Sequence, residues 1–522
     1  MRSLLAATDV HPAEASASDA EGAVTPIRSR NRTLEWSARF AAPLLGAAAA
    51  VLVFAGAGTP SYWGDEAASV VSAGRPLPSL FAMLAHVDAV HGLYYVFLHG
   101  WTGLVGTSEA LVRLPSAVAI GFAVAGTVVL GSRLGARSTG ILAGVVLAVL
   151  PVATRMGIEA RSYPFAMAAA VWLTVWFVAL VRRHEQRWLV WAAYAAAFAA
   201  ALYLYLYLAL LGFVQLAVVM MLRGTRSTVL RWLAASVLAA VLAGPIILAG
   251  TSQSAQVSFL ARRDYASAES VMVGQWFGSA EWFAAAGWLL VLAAVATVAF
   301  VPAMRGSRPI VVIASVWIAV PTAALFAVDA WVAPTYNPRY LSFCAPALAV
   351  LLAVGLRGLG VVVAELSRRE GARRIVPLVG LVVIAAVAVP GYLAQRGPYG
   401  KGGADFRQAA DVIAATASAG DAIVFDESVR PSRKPRLALN LYPDRFAGLD
   451  DVALRAPLAT TTGLWDSVTP LDEVDDVREH ARVWAVMEGR HGPELETLRS
   501  IGFSVERAIP VNRVVIYEMV KP

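Results

Sequence analysis

Residues 44–74, LLGAAAAVLVFAGAGTPSYWGDEAASVVSAG, place two adjacent carboxylates shortly after a long apolar run. The run at 44–58 is typical of the end of a membrane-spanning helix, and Asp65 and Glu66 follow it closely. Ionised side chains near hydrocarbon are costly and tend to be functional. The stretch therefore predicts a membrane protein whose reactive groups lie at the rim of the bilayer.

The composition of the whole chain indicates a polytopic membrane protein. Of its 522 residues, 58% are hydrophobic and 15% are charged, and the mean hydropathy is +0.63. Soluble domains carry about 25% charged residues. The net charge of +7 comes almost entirely from Arg, and Arg in loops orients membrane proteins, so the charge does not indicate nucleic-acid binding. The single cysteine, Cys344, excludes a disulfide framework.

Apolar stretches of about 20 residues, the length that crosses about 30 Å of hydrocarbon, recur along the chain. The predicted fold class is a polytopic α-helical membrane protein with about 11 transmembrane helices. We expect the spans at 37–58, 112–131, 138–156, 162–181, 188–204, 207–222, 231–250, 282–303, 310–329, 340–360 and 375–394. The sequence GPI at 244–246 is a candidate kink.

The distribution of Arg predicts the orientation in the cell (plasma) membrane. If 61–111 does not cross the membrane, the short Arg-rich connections all fall on one side, which the positive-inside rule makes cytoplasmic. These connections are 132–137, 182–187, 223–231, 304–309 and 367–374. The N-terminus is then cytoplasmic and the C-terminus outside. We interpret 91–106 as an interfacial helix, because as a span it would move every later Arg-rich loop to the outside.

The chain divides into three predicted regions. Residues 1–36 are polar and are expected to form a disordered cytoplasmic tail, and 37–395 form the transmembrane domain with a first outer loop at 59–111. From about 400 the pattern changes to an amphipathic helix, a Gly-Asp turn and several short strands. We therefore expect a small extracytoplasmic α/β domain at 396–522.

Charged residues on the outward face are the candidates for chemistry, because the positive-inside rule disfavours Arg there. Pairing with nearby carboxylates explains them without a ligand, whereas a bound anion such as a lipid phosphate explains them functionally. These residues are Asp65, Glu66, Asp88, His91, Arg113, Arg155, Glu159, Arg161, Arg262, Arg263, Asp264 and Arg339. A Glu66–Arg113 pair would leave Asp65 free as a base; alternatively the two carboxylates only end a helix in water.

Two other groups have structural alternatives. His91 with Asp88 provides too few ligands for a metal site, and a hydrogen-bonded interfacial histidine explains the pair equally well. Tyr194, Tyr203, Tyr205 and Tyr207 suit an aromatic belt, or they stack on a sugar or a polyprenyl chain.

Four segments, taken in order, resemble the C-type (GT-C) glycosyltransferases, in particular their protein O-mannosyltransferase and aminoarabinose-transferase branch. The similarity covers about residues 37–360, and each motif alone is weak. The segments are GDEAASVVSAG at 64–74, HGLYYVFLHGWTGLVGTSEALVRLPSAVAI at 91–120, GIEARSYPFAMAAAVWL at 157–173 and NPRYLSFCAPALAVLLAVGL at 337–356. The family often has His-Pro-Pro-Leu-Tyr-Tyr where this chain has His-Gly-Leu-Tyr-Tyr, so acceptor specificity does not carry over.

The resemblance implies a role for each matching residue. Asp65 would be the catalytic base, with Glu66 paired to Arg113, and Arg339 beside Tyr340 would hold the donor phosphate. Arg262 and Arg263 are further candidates for the phosphate. The candidates for the acceptor or the sugar are His91, Tyr94, Glu159 and Arg161.

The predicted function is transfer of a sugar, with inversion, from a polyprenyl-phosphate donor to an acceptor hydroxyl on the outer face. Mannose is the expected sugar, and the acceptor is a glycan, a glycolipid or a protein hydroxyl. No cofactor is expected; a divalent metal is allowed but not required, because arginine suffices for a monophosphate leaving group. The alternatives are a lipid or glycan transporter or flippase, and a non-catalytic membrane scaffold. A transporter would favour ionisable residues in mid-span, whereas these cluster at one rim.

Overall fold

The structure of the chain is a computed structural model that describes residues 28–521, with the exception of 263 and 264. Side chains are described from residue 40 onward, except at 257. The first helix, α1, begins at Arg28, inside the segment predicted to be a tail, because no Gly or Pro interrupts residues 28–39. The rest of that predicted tail, 1–27, lies outside the described residues. The features below belong to the compact unit that begins at Ala41.

Helices make up most of the described chain. In chain order the α-helices are α1 Arg28–Phe54, α2 Gly64–Ala73, α3 Leu77–Leu84, α4 Gly92–Val105, α5 Glu109–Leu134, α6 Arg137–Val149, α7 Pro151–Met156, α8 Tyr163–Arg182, α9 Trp188–Leu204, α10 Leu211–Met221, α11 Arg226–Leu242, α12 Gly244–Ser252, α13 Gln275–Phe277, α14 Glu281–Phe300, α15 Arg308–Trp331, α16 Ala345–Ser367, α17 Ala372–Ala394, α18 Phe406–Thr416, α19 Leu437–Leu441 and α20 Pro493–Ser500.

Within the described residues, six helices are long and apolar enough to cross a membrane. The helices α11 and α12 make a seventh if they count as one span bent by 54°. The multi-pass membrane class is therefore supported, whereas the predicted number of about 11 spans is not confirmed. One reason is that proline divides predicted spans, since its ring removes an N–H donor. Pro151 separates α6 from α7. Pro245 lies in the first turn of α12, at the kink predicted at 244–246.

The helix α16 lies at the centre of the membrane bundle. It is buried along most of its length, and its glycines let neighbouring helices approach closely. A Cβ on Gly355 would lie 2.9 Å from the backbone carbon of Leu290 in α14. Small residues at such contacts are typical of packed membrane helices.

The C-terminal region forms a five-stranded mixed sheet in the order β2-β1-β5-β7-β6. Strand β1 (Ala422–Phe425) pairs in parallel with β2 (Asp450–Asp451) and β5 (Arg482–Glu488). Strand β7 (Val514–Val520) is antiparallel to β5 and β6 (Ser504–Pro510). A separate pair consists of β3 (Leu454–Ala456) and β4 (Ser467–Val468). The small C-terminal sheet region predicted from the sequence is thus present.

The sheet region lies directly against the segment 59–111. Arg75, at the end of α2, is buried and donates to the carbonyl oxygens of Thr461 at 2.9 Å and Gly463 at 2.5 Å. Glu109, at the start of α5, accepts from Arg407 at 3.0 Å and from the Tyr442 hydroxyl at 2.7 Å. These bonds fix the sheet region over the end of the bundle that carries Asp65.

Candidate active site

Asp65 and Arg339, separated by 274 positions in the chain, form an ion pair. Arg339 Nη1 donates to Asp65 Oδ2 at 3.0 Å, with 18% of the Arg339 side chain and 30% of the Asp65 side chain exposed. Asp65 lies in the first turn of α2, and Arg339 lies in the 3₁₀ turn Pro338–Cys344 that leads into α16. The Arg339 guanidinium lies 4.6 Å from the centre of the Trp63 ring, which covers one side of the pair.

Glu66 points the other way and is fully buried with Arg113. Arg113 donates to the two Glu66 oxygens at 2.8 and 2.6 Å, and to the carbonyl oxygens of Ala57, Pro60 and Ser61. Glu66 also accepts from the Ala160 N–H at 2.9 Å. The pair expected from the sequence is thus formed, and it anchors α2, whose neighbouring residue Asp65 contacts Arg339 instead.

Arg161 contacts the backbone of Asp65. Its Nη1 donates to the Asp65 carbonyl oxygen at 3.2 Å and to Ser69 Oγ at 3.3 Å. Its Nη2 lies 3.0 Å from His91 Nε2, which must accept, since arginine has no acceptor. Burial, together with Arg161, holds the pKa of His91 well below its ordinary value, against the opposite effect of Asp65. His91 is therefore neutral at pH 7 and orients Arg161.

Glu159 forms the centre of a second buried cluster. It is 1% exposed, and its Oε1 lies 3.4 Å from Lys401 Nζ and 3.6 Å from Arg155 Nε. Burial alone would raise the pKa of Glu159, but Lys401, Arg155 and Arg339 together lower it. Burial lowers the pKa of Lys401 to about 8, although Glu159 opposes the shift. A carboxylate thus lies among three cations beside Asp65.

A cavity of about 310 Å³ opens next to these groups. Arg339 and Trp63 border it on the side of Asp65, and Arg155 borders it on the side of Glu159. The other residues that line it are Pro151, Val152, Met156, Tyr265, Ser270, Gly274, Gln275, Gly278, Asn337, Pro338 and Gln395. The cavity volume is within the range of about 300–1,000 Å³ typical of small-ligand sites. Two arginines on its wall give it the chemistry of an anion site.

Of the residues with a predicted site role that the structure describes, only Arg339 lines this cavity, and Asp65 lies next to it through its contact with Arg339. Tyr340 stacks on Tyr207 with ring centres 5.2 Å apart, and Tyr94 is buried beside Phe165. Neither tyrosine is among the described residues that line the cavity. Arg262 is exposed at the end of the 3₁₀ segment Ser254–Arg262, and no described hydrogen bond or ion pair joins it to Arg339. Arg263 lies outside the described residues. The part of the chain that the structure describes holds no group of three residues able to bind a metal.

The sequence analysis gave no role to Lys401, Arg155 or Trp63. Arg155 was recognised only as an outward charge, and Trp63 was not considered. Lys401 could have been noticed, because it is the first of only three lysines in a chain whose other basic side chains are mostly arginine. Lys401 also follows the last predicted span, 375–394, by only a few residues.

A polytopic helical bundle carries a charged cavity at one end, and a small C-terminal sheet region lies over the segment 59–111 beside it. This is the architecture that the resemblance to the C-type glycosyltransferases implied.

Two solved structures of ArnT from Cupriavidus metallidurans share this fold. The structure bound to undecaprenyl phosphate has a TM-score of 0.56 and 15% sequence identity, over 91% of this chain and 97% of ArnT. The apo structure has a TM-score of 0.55 and 14% identity, over 93% and 98% of the two chains. The arabinofuranosyltransferase AftD from Mycobacteria has a TM-score of 0.48 and 17% identity, over 93% of this chain and 40% of AftD. No protein-family model and no curated protein matches the chain.

Proposed function

We propose that this protein is a membrane glycosyltransferase that moves a sugar from a polyprenyl-phosphate donor to an acceptor hydroxyl. The observation that carries the proposal is the contact between Asp65 and Arg339 at the edge of the cavity. Arg339 lines the cavity, and Asp65 contacts Arg339 without lining the cavity itself. Together they would provide the anion-binding group and the base that glycosyl transfer from a phosphate requires.

The reaction would proceed in one step. Asp65 takes the proton from the acceptor hydroxyl while that oxygen attacks the anomeric carbon of the donor sugar. The bond between the anomeric carbon and the phosphate oxygen breaks, and the lipid phosphate leaves with the electron pair. Arg339 and Arg155 stabilise the charge that grows on the phosphate. Attack from the side opposite the leaving group inverts the configuration, by analogy with inverting glycosidases.

The donor must also release Asp65 from its ion pair. Arg339 donates to Asp65 at 3.0 Å, so the carboxylate and a bound phosphate would compete for the same guanidinium. A phosphate in the cavity competes for Arg339, so donor binding would free Asp65 to accept a proton. The base would thus become active only when the donor is present.

The polyprenyl-phosphate donor class is supported by the shared fold with ArnT, which has been solved bound to undecaprenyl phosphate. Mannose as the sugar, the outward location of the site and the extracytoplasmic C-terminus belong to this proposal. The acceptor would be a hydroxyl of a glycan, a glycolipid or a protein.

The test is sugar transfer by the purified protein in lipid nanodiscs. Polyprenyl-phosphate mannose, glucose and arabinose are supplied in turn, with cell-envelope glycan as acceptor. We expect one donor to be used by the wild type and by the exposed-carboxylate control Asp444→Asn, but not by Asp65→Asn. Full activity of Asp65→Asn would show that Asp65 is not the base. If the wild type releases polyprenyl phosphate from none of the donors, the proposed glycosyltransferase function is refuted.

A further inference from the structure

A second cavity of about 310 Å³ lies in the C-terminal sheet region, away from the membrane helices. It opens at the carboxyl end of β1, bordered by Phe425 and Glu427 from that strand's end. The N-terminal part of α20 borders it through Glu494 and Thr497. The segment 468–472 closes it on the remaining side.

The sheet topology makes this place a favoured ligand site. From β1 the chain goes to β2 on one side and later to β5 on the other, and all three strands are parallel. Connections that leave in opposite directions open a crevice at the carboxyl ends of the strands, which is where open α/β sheets bind ligands. The second cavity occupies this switch point.

The lining of the second cavity excludes anions and suits a neutral polyol. Its polar groups are carboxylates and hydroxyls, with no Lys or Arg among them: Glu427, Ser428, Thr469, Asp472, Glu494 and Thr497. Carboxylates repel phosphates but accept strong hydrogen bonds from sugar hydroxyls. A cation is less suitable, because the described residues contain no group of three that could hold a metal.

Glu494 has an unused acceptor. Its Oε1 accepts from the Glu427 N–H at 3.0 Å, whereas its Oε2 is buried without a hydrogen-bond partner among the described residues. The Glu427 oxygens are already used, by Lys434 at 2.6 Å and Arg436 at 2.7 Å. A buried carboxylate oxygen without a donor is costly, so a ligand hydroxyl at this point would be stabilising.

The loop that borders this cavity also contacts the active site. The segment 426–436 follows β1. Within it, the backbone and side chain of Ser432 pack against Gly64, the neighbour of Asp65. The ion pairs of Glu427 with Lys434 and Arg436 hold the loop in this position. A ligand in the second cavity would therefore share one loop with the proposed base.

We propose that the second cavity binds a neutral sugar unit of the acceptor glycan, with Glu494 and Thr497 as its hydrogen-bonding groups. The proposal rests on the proposed function, since it gives the acceptor class as a polysaccharide or glycolipid that extends beyond the reacting sugar. The sheet region would then select the acceptor while the membrane cavity selects the donor.

The experiment measures binding without any donor. Saturation-transfer NMR on the full-length protein in detergent uses methyl α-mannoside, methyl α-glucoside, methyl arabinofuranoside and their disaccharides as probes. We expect at least one glycoside to bind. Glu494→Gln should weaken this binding by about tenfold, the effect of losing a charge-assisted hydrogen bond, and Thr497→Val by about fivefold, the effect of losing a neutral one. Glu496→Gln, an exposed neighbour on α20, is the matched control and should bind as the wild type does.

The outcomes separate this proposal from the proposed function. Asp65→Asn should keep glycoside binding while losing transfer, which would place the two activities in different sites. Binding by none of the glycosides, or binding unaffected by both substitutions, would overturn the acceptor subsite even if the wild type transfers sugar. Displacement of the glycoside by spermidine, or binding of spermidine alone, would show that the cavity takes cations and would refute the ligand class.

Discussion

Replacing Gly64 by alanine should separate the C-terminal sheet region from Asp65. A Cβ at Gly64 would lie 2.6 Å from Ser432 Cβ and 2.8 Å from its carbonyl carbon, and closer still to the carbonyl oxygen. Ordinary contact begins at 3.4 Å, so Ser432 would have to move by about 0.8 Å or more. The obstacle is mainly backbone, which cannot rotate away. Overpacking of this kind costs about 1–3 kcal/mol, and a shift near 1 Å beside a reacting group costs about 10²-fold in rate.

The assay compares Gly64→Ala with Gly74→Ala, at the opposite end of α2. A Cβ at Gly74 would have its nearest neighbour, the Val70 carbonyl oxygen, at 3.5 Å, so this substitution introduces a methyl group without a clash. We expect Gly64→Ala to lose transfer about 100-fold and to melt earlier in detergent, while Gly74→Ala stays near the wild type. If Gly64→Ala transfers sugar at the wild-type rate, the sheet region does not position Asp65, and the reasoning about the shared loop fails.

Four further predictions concern the charged groups. Asp65→Asn should abolish transfer while the melting temperature stays close to that of the wild type; a large loss of stability would make it a structural residue. Arg339→Ala should weaken binding of the polyprenyl-phosphate donor, measured by isothermal titration, and unchanged donor affinity would contradict its phosphate role. Glu66→Ala should cost about 3–5 kcal/mol, because it leaves a buried guanidinium without its partner, and thermal melts should rank it well below Asp65→Asn. Lys401, with its pKa lowered to about 8 against an ordinary 10.5, loses its proton at lower pH in the folded chain than in the unfolded chain. The contribution of Lys401 to the free energy of unfolding therefore rises between about pH 8 and pH 10.5. Thermal melts over this pH range should show a smaller rise in stability for Lys401→Met than for the wild type. The same pH dependence in both proteins would refute the shift in the Lys401 pKa.

Most membrane helices could be located from the sequence because hydropathy is a local property. The predicted spans 162–181, 188–204 and 375–394 agree with α8, α9 and α17 to within a few residues. Where proline interrupts an apolar run, hydropathy alone does not show whether the helix bends or ends. The span predicted at 138–156 therefore became two helices at Pro151.

Residues of the candidate site could be predicted only where a local sequence pattern indicated them. Adjacent carboxylates after an apolar run suggested Asp65 and Glu66, and an arginine opening a late span suggested Arg339. Lys401 was missed because its position beside Glu159 depends on how a glycine-rich turn returns to the bundle. The contact of Ser432 with Gly64 was missed for the same reason, since it joins two regions whose packing no local pattern encodes.

The saturation of Arg113 distinguishes two kinds of arginine at this site. An arginine side chain has five N–H groups, and Arg113 directs all of them to Glu66 and to three carbonyl oxygens of the preceding loop. Nothing remains on it for a substrate, and lysine, with a single nitrogen, could not replace its geometry. Among the described residues only Asp65 accepts a side-chain hydrogen bond from Arg339, so that guanidinium retains spare donors. The free N–H donors of Arg339 thus make it the arginine that can bind a ligand, whereas Arg113 has a structural role.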